Sequence, residues 1–193
     1  MGRPRVRASW AKGLLKFAAS YEPLGGRLAD QVAPECMREI ESAVRISWLT
    51  FETYYELIET IRVDLGNEGL RAFLSAYMLD LRNAPLYMPL LAGIDFFGGG
   101  AEAMLRLYAR GYALSFSGCG VMVLEPRKQG TGVVVRLSEI PPICRREAYA
   151  HAHHGGVEGG FALARTRATV EMNVDAFAEG MVVYDAVALD EDA

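Results

Sequence analysis

The chain has 193 residues, of which 51% are hydrophobic and 23% charged, with a formal net charge of −4. That length supports one sizeable core, and the mildly acidic balance gives no electrostatic basis for binding nucleic acid. No apolar run reaches the ~20 residues of a membrane span, and no secretory-type apolar core follows the basic start, so a soluble protein without a transmembrane segment is expected. Three widely spaced cysteines, Cys36, Cys119 and Cys144, with no CxxC, point to a reducing compartment and hence the cytoplasm.

Residues 1–33 form a basic segment carrying Arg3, Arg5, Arg7, Lys12 and Lys16. A disordered start and one short amphipathic helix, with Trp10, Leu14 and Phe17 on one side, are predicted there. A single domain is expected over 34–189, followed by an acidic tail at 190–193. Pro34 suits the first position of a helix running to about Val44. Ile46–Thr50 looks extended. Thr50 can cap a helix in which Phe51, Tyr54, Tyr55, Ile58, Ile61 and Leu65 recur at helical spacing, and Gly66 ends it. Asn67–Asn83 is a second helix with Leu70, Phe73, Leu74, Tyr77, Met78 and Leu81 as its stripe. Pro85 and Pro89 bracket a buried half-helix, Phe96–Gly100 is a turn, and Ala101–Tyr112 is a further helix.

At Ala113 the periodicity changes. Leu114 and Phe116 alternate with serines, and Gly118 and Gly120 mark a bulge before Val121–Leu124. Thr131–Ser138 is a strand. Pro141-Pro142 opens a helix to about His154, whose end the glycines at 155, 156, 159 and 160 obscure. Arg167–Val174 alternates strictly, with Arg167, Thr169, Glu171 and Asn173 on a wet face and Ala168, Val170, Met172 and Val174 on a dry one. Gly180–Leu189 pairs with it as a hairpin. The fold class predicted is α+β: an N-terminal helical half packed on a mostly antiparallel sheet of about four strands from the C-terminal half.

Several stretches carry a family likeness. They are Ile46-Ser-Trp-Leu-Thr before Tyr54-Tyr-Glu-Leu-Ile, Asp64-Leu-Gly, Gly159-Gly-Phe-Ala-Leu, and Glu179-Gly-Met-Val-Val-Tyr. Over residues 40–189 the chain resembles the superfamily of haem-nitric-oxide-binding domains, TRAPP trafficking subunits and 4-vinyl-reductase-type domains, and within or near it a bacterial paralogue family. The resemblance implies a sensing, scaffolding or dimerising module. Haem-nitric-oxide-binding domains carry a Tyr-x-Ser-x-Arg signature for the haem propionates. Tyr112-Ala-Leu-Ser115 departs from it in spacing and lacks the Arg, so haem is not supported and no cofactor is expected.

Candidate chemistry concentrates in one segment. On a helix, Cys144, Glu147, His151 and His154 fall within ~80° of arc. Cys144 is too far from His154 to share an ion, but Glu147, His151 and His154 can bind zinc, or else form a polar exposed face. Gly98-Gly-Gly100 lacks the Lys and Ser/Thr of a phosphate loop. Cys119 has no cation in its local sequence to activate it and suits a buried bulge. Arg145, Arg146, Arg165 and Arg167 form either a strip for an acidic ligand or solvated side chains. No catalytic residue is assigned. The leading expectation is a non-enzymatic cytoplasmic regulatory or scaffold domain that forms a homodimer, or docks a protein partner, through Tyr54, Tyr55, Phe73 and Tyr77. The alternative is a sensor holding an apolar small molecule between helices and sheet. A metal-dependent activity on the Cys144–His154 segment comes third.

Overall fold

A computed structural model describes residues 2–81, 100–128 and 132–189. Among them are six helices and two antiparallel sheets, with the helices mainly in the first half and the larger sheet in the second. The predicted fold class is thereby met.

The basic start is not disordered over residues 5–20. β1 (Arg5–Arg7) pairs on one side with β2 (Trp48–Thr50) and on the other with β3 (Phe116–Ser117). Val6 is buried there, while Arg7 keeps its charge at the surface by stacking on Trp48, 3.8 Å from the ring centroid. α1 (Ala8–Ser20) follows directly, burying Ala8, Ala11, Leu14 and Ala18. Two short helices, α2 (Leu28–Gln31) and α3 (Pro34–Ser42), lead back to β2.

α4 (Phe51–Asp80) begins where the sequence indicates: the Thr50 side chain accepts from the Thr53 amide. Gly66 breaks it with φ 74 and ψ 177, a conformation essentially restricted to glycine, and the helix resumes beyond. α5 (Ala101–Ser115) runs three residues past its predicted end at Tyr112, leaving Leu114 exposed. The half-helix expected at Pro85–Pro89 and the turn from Phe96 lie outside the described residues.

The larger sheet comprises β4 (Val121–Pro126), β5 (Gly132–Ser138), β6 (Ala168–Asn173) and β7 (Val182–Ala188), ordered β4-β5-β7-β6. Alternation sends Val133, Val135 and Leu137 of β5, and Val182, Tyr184 and Ala186 of β7, into the core. Val170 is buried on β6, with Thr169, Glu171 and Asn173 exposed as the alternation predicts.

The helix predicted from Pro141 is different. The two prolines make only a single 3₁₀ turn, Pro142–Cys144, and α6 (Glu147–Leu163) starts later and continues through all four glycines. Cys144 is therefore not on the helix with Glu147. The glycines do not terminate α6 because neighbouring chain fills the space where side chains would be. A Cβ at Gly155 would lie 2.2 Å from the Arg71 carbonyl oxygen of α4, and one at Gly159 2.5 Å from the Met78 Cβ. α6 is thus a central helix enclosed by α4, α5 and the sheet.

Candidate functional site

α5 and α6 each contribute an i, i+4 pair facing the other: Tyr108 and Tyr112, and Tyr149 and His153. Phe116 of β3 completes the cluster. The His153 ring sits 4.6 Å from Tyr149, 5.2 Å from Tyr112 and 5.4 Å from Phe116 between centroids, in near edge-to-face arrangements. Its Nδ1 lies 2.8 Å from the Tyr108 hydroxyl, whereas Nε2 is buried with no hydrogen-bond partner. Burial pulls the His153 pKa down to about 3, so the ring is neutral at physiological pH. Burial also pushes the phenols of Tyr108 and Tyr149 well above their ordinary range. Tyr149 donates to the Cys119 carbonyl at 3.3 Å, and its hydroxyl meets that of Tyr112 at 2.8 Å.

Tyr108, Tyr112 and Phe116 have a second role. With Trp10 of α1, Met78 of α4 and Met104 of α5 they wall an apolar cavity of about 430 Å³. Arg110 reaches its rim, and Gly111 lines it with nothing within 4 Å of an added Cβ. The cavity occurs where packed aromatics from three helices cannot close on one another, and its size suits a small organic ligand.

The residues singled out from sequence lie elsewhere. The three histidines of α6 point to three different neighbours. His151 Nε2 is 3.8 Å from Glu147, whose carboxylate is also met by Asn67 at 2.7 Å and by Arg62 at 3.5 Å. His154 Nε2 lies 2.9 Å from the Val170 carbonyl oxygen on β6. Glu147, His151 and His154 therefore do not converge, and among the described residues no three His, Cys, Asp or Glu side chains are placed to share an ion. The aromatic face Tyr54, Tyr55, Phe73 and Tyr77 is mostly interior. Tyr54 packs on Phe116, Phe73 on Phe17 and Tyr21, and Tyr77 on Trp10. α1 occupies the stripe at which a second copy was expected to dock. Tyr55, half-buried, bonds Glu59 at 2.8 Å beneath the Arg146 guanidinium. Sequence reasoning missed the Tyr108–His153 cluster, although the two i, i+4 aromatic pairs were the available signal.

No protein-family model matches the sequence, and no curated protein matches it. Solved structures do. An Fe(II) unliganded H-NOX protein from K. algicida is 12% identical with a TM-score of 0.60, covering 97% of this chain and 98% of its own. An oxygen-binding H-NOX domain related to soluble guanylate cyclases, in its oxygen complex, is 12% identical with a TM-score of 0.60, over 95% of each chain. A structure concerned with haem distortion in the H-NOX family is 12% identical with a TM-score of 0.59. At such identities the likeness establishes the fold, that of haem-nitric-oxide-binding domains.

Two expectations are corrected by this likeness. The expected scaffold acting through dimerisation is not upheld, because the fold shared over nearly the whole chain is that of oxygen-binding and haem-associated H-NOX domains, which favours the alternative taken up below as a proposal. The rejection of haem also falls, since it rested on one departure in a short motif. Haem iron takes an axial ligand from His, Cys, Met or Tyr. His153 offers a buried neutral imidazole with Nδ1 anchored and Nε2 unpartnered, which is the second-shell arrangement of a metal-binding histidine. The aromatic and methionine wall suits a macrocycle, and Arg110 at the rim suits a carboxylate. His153 stands behind that wall and does not line the cavity, so the cavity's own candidate axial ligands are Tyr108, Tyr112, Met78 and Met104.

Proposed function

We propose that the protein is a non-enzymatic sensor domain that binds a flat apolar small molecule in the cavity between α1, α4 and α5, with haem the first candidate. The observation that carries this reading is the wall of Trp10, Met78, Met104, Tyr108, Tyr112 and Phe116 around about 430 Å³. Haem, when bound, supplies an iron position for a small gas. The chain's own residues exclude water through the aromatic wall and line the cavity with Tyr108 and Tyr112, while the neutral imidazole of His153 stands behind Tyr108, 2.8 Å from its hydroxyl. The wall is also connected to the opposite side of the molecule. Tyr108 and Tyr112 bond to α6, and α6 bonds to the sheet through Tyr184, whose hydroxyl donates to the Ala150 carbonyl at 2.8 Å. Occupancy that shifts α5 would therefore bias α6 and the sheet behind it.

Two further readings accompany the proposal. The Trp48–Thr50 strand, entered from a turn at Arg45–Ile46 where an extended segment was expected, and the Glu179–Tyr184 turn and strand support the narrower placement in a bacterial paralogue family. The three free thiols support a cytoplasmic location. No helix among the described residues is long and apolar enough to cross a membrane.

The test is haemin titration of the purified protein, followed by its absorption spectrum, alongside native mass spectrometry for a co-purified ligand. Gly111→Leu projects a side chain into the cavity and is expected to weaken binding at least ~10-fold while the folded spectrum persists. Equal binding by Gly111→Leu, or no haem or other apolar ligand at micromolar concentration, would overturn the reading.

A further inference from the structure

Three strongly exposed apolar side chains gather on one rim beside the small sheet. Val44, Ile46 and Leu114 are 68%, 79% and 73% exposed. Val44 and Ile46 flank Arg45 on a tight turn, closed by the Ser47 amide donating to the Val44 carbonyl at 2.8 Å. Arg7 of β1 ties this turn to the end of α5. Its guanidinium donates to the Ile46 carbonyl and, at 3.4 Å, to the Leu114 carbonyl. Arg5 and Arg7, on one face of β1, both lie over the Trp48 ring, 5.4 and 3.8 Å from its centroid. Cations dominate the rim. Arg3, Arg5 and Arg45 are exposed and Arg7 is half-buried. Against them stand Glu52, paired with Arg3 at 3.3 Å, and Glu41, whose carbonyl accepts from Lys12 at 2.8 Å. In a chain of net charge −4 this excess of positive charge is local.

We propose that this rim docks on an anionic phospholipid bilayer, with Val44, Ile46 and Leu114 entering the boundary between headgroups and acyl chains and Arg3, Arg5 and Arg45 meeting the lipid phosphates and carboxylates. Two observations select a lipid surface over an acidic protein. The apolar side chains stand proud of the surface instead of lining a groove, so they offer a helix or strand no concave seat, whereas a fluid bilayer closes around each tip. Apolar tips set among arginines also combine attraction at a distance with insertion at contact, the two terms by which a peripheral surface holds a charged membrane. Arg7 plays another part. Bound to two carbonyls and stacked on Trp48, it fixes the shape of the rim. Each exposed arginine contributes about fivefold in affinity near an anionic surface, so three give a preference of ~100-fold over a neutral one. Leu114 also lines the apolar cavity, so docking sets the cavity's opening against lipid. The docking itself does not depend on what the cavity holds.

The experiment sediments the full chain with vesicles of phosphatidylcholine alone, and with vesicles that also contain about 30% phosphatidylserine, while following tryptophan emission. Affinity for the anionic vesicles is expected to be about 100-fold higher at low salt, with a blue shift, and to fall steeply as salt rises to about 0.5 M. Ile46→Asp combined with Leu114→Asp should weaken it at least ~10-fold, and Arg45→Ala about fivefold. These positions are exposed, so circular dichroism and the melting temperature should stay those of the wild type. Val63→Asp is the control. Val63 is 73% exposed on α4 but stands beside Glu56 and Asp64, and changing it should leave vesicle binding intact. Equal binding to both vesicles, no binding at millimolar lipid, or full binding by the folded double variant would overturn the proposal. So would binding of polyglutamate as tight as that of the anionic vesicles, which would assign the rim to an acidic protein. The comparison of the two vesicles needs only the wild-type chain, so a variant that fails to fold leaves the test intact.

Discussion

α4 and α6 cross face to face, and both contain glycine, yet the glycines answer opposite needs. In α4, Gly66 has nothing within 4 Å of an added Cβ but takes a backbone conformation that side chains strain to adopt. In α6, Gly155 keeps ordinary helical geometry but has no room, because α4 backbone occupies the place of its side chain. One glycine is there for its conformation and the other for its missing volume. The two helices differ in the same way in what maintains them. α4 has a Thr50 cap and an internal Glu59–Arg62 pair at 2.6 Å. α6 has no side-chain cap at its N-terminus and persists through burial of all but the narrow face that carries Glu147, His151 and Glu158.

Substitutions at the two glycines test this contrast most directly. Gly155→Ala should cost about 3 kcal/mol, or prevent folding, because its clash is with main chain that cannot rotate away. Urea unfolding measures it, and a cost under ~1 kcal/mol would mean the helices are free to separate. Acid should strike α6 next. The His153 pKa, lowered from 6.5 to about 3 by burial, gives stability that is complete above about 6.5 and is lost as pH falls towards 3. Between pH 7 and 5 the loss from this residue is ~2 kcal/mol. The ionisable neighbours in its cage, Tyr108, Tyr112 and Tyr149, have raised pKa values and stay neutral in that window. His153→Phe should flatten the pH dependence by about one proton, and an unchanged slope would place the titration elsewhere. Smaller effects are expected in α4. Gly66→Ala should cost ~1–2 kcal/mol through backbone strain alone, and Thr50→Ala about 1 kcal/mol through the lost cap. If Gly66→Ala exceeded Gly155→Ala, the assignment of conformation to one and volume to the other would be reversed.

The contrast also explains what the sequence reveals. α4 is legible because one side of it is wet: its apolar positions recur against polar ones, and Thr50 and Gly66 punctuate them at the right places. β5, β6 and β7 are legible for the same reason, through alternation. α6 is enclosed, so it has no strong polar–apolar period, and its glycines look like stops when they are packing surfaces. The site inherits that difficulty. Tyr108, Tyr149 and His153 meet only because α5 and α6 are brought together by a fold that no local pattern specifies. The resemblance to haem-nitric-oxide-binding domains identifies the right fold from loosely spaced packing residues. Rejecting haem on Tyr112-Ala-Leu-Ser115 places too much weight on one short signature.

The small sheet carries a consequence for synthesis of the chain. Its central strand is β1, yet the partners of β1 are residues 48–50 and 116–117. Translation proceeds at roughly 5–20 residues per second, so after β1 is synthesised about 5–20 s pass before Phe116 is made. For that interval one edge of a basic strand waits with its amides and carbonyls unsatisfied by β3. The charges of Arg5 and Arg7 on that strand then serve the nascent chain, repelling other copies until its last neighbour arrives.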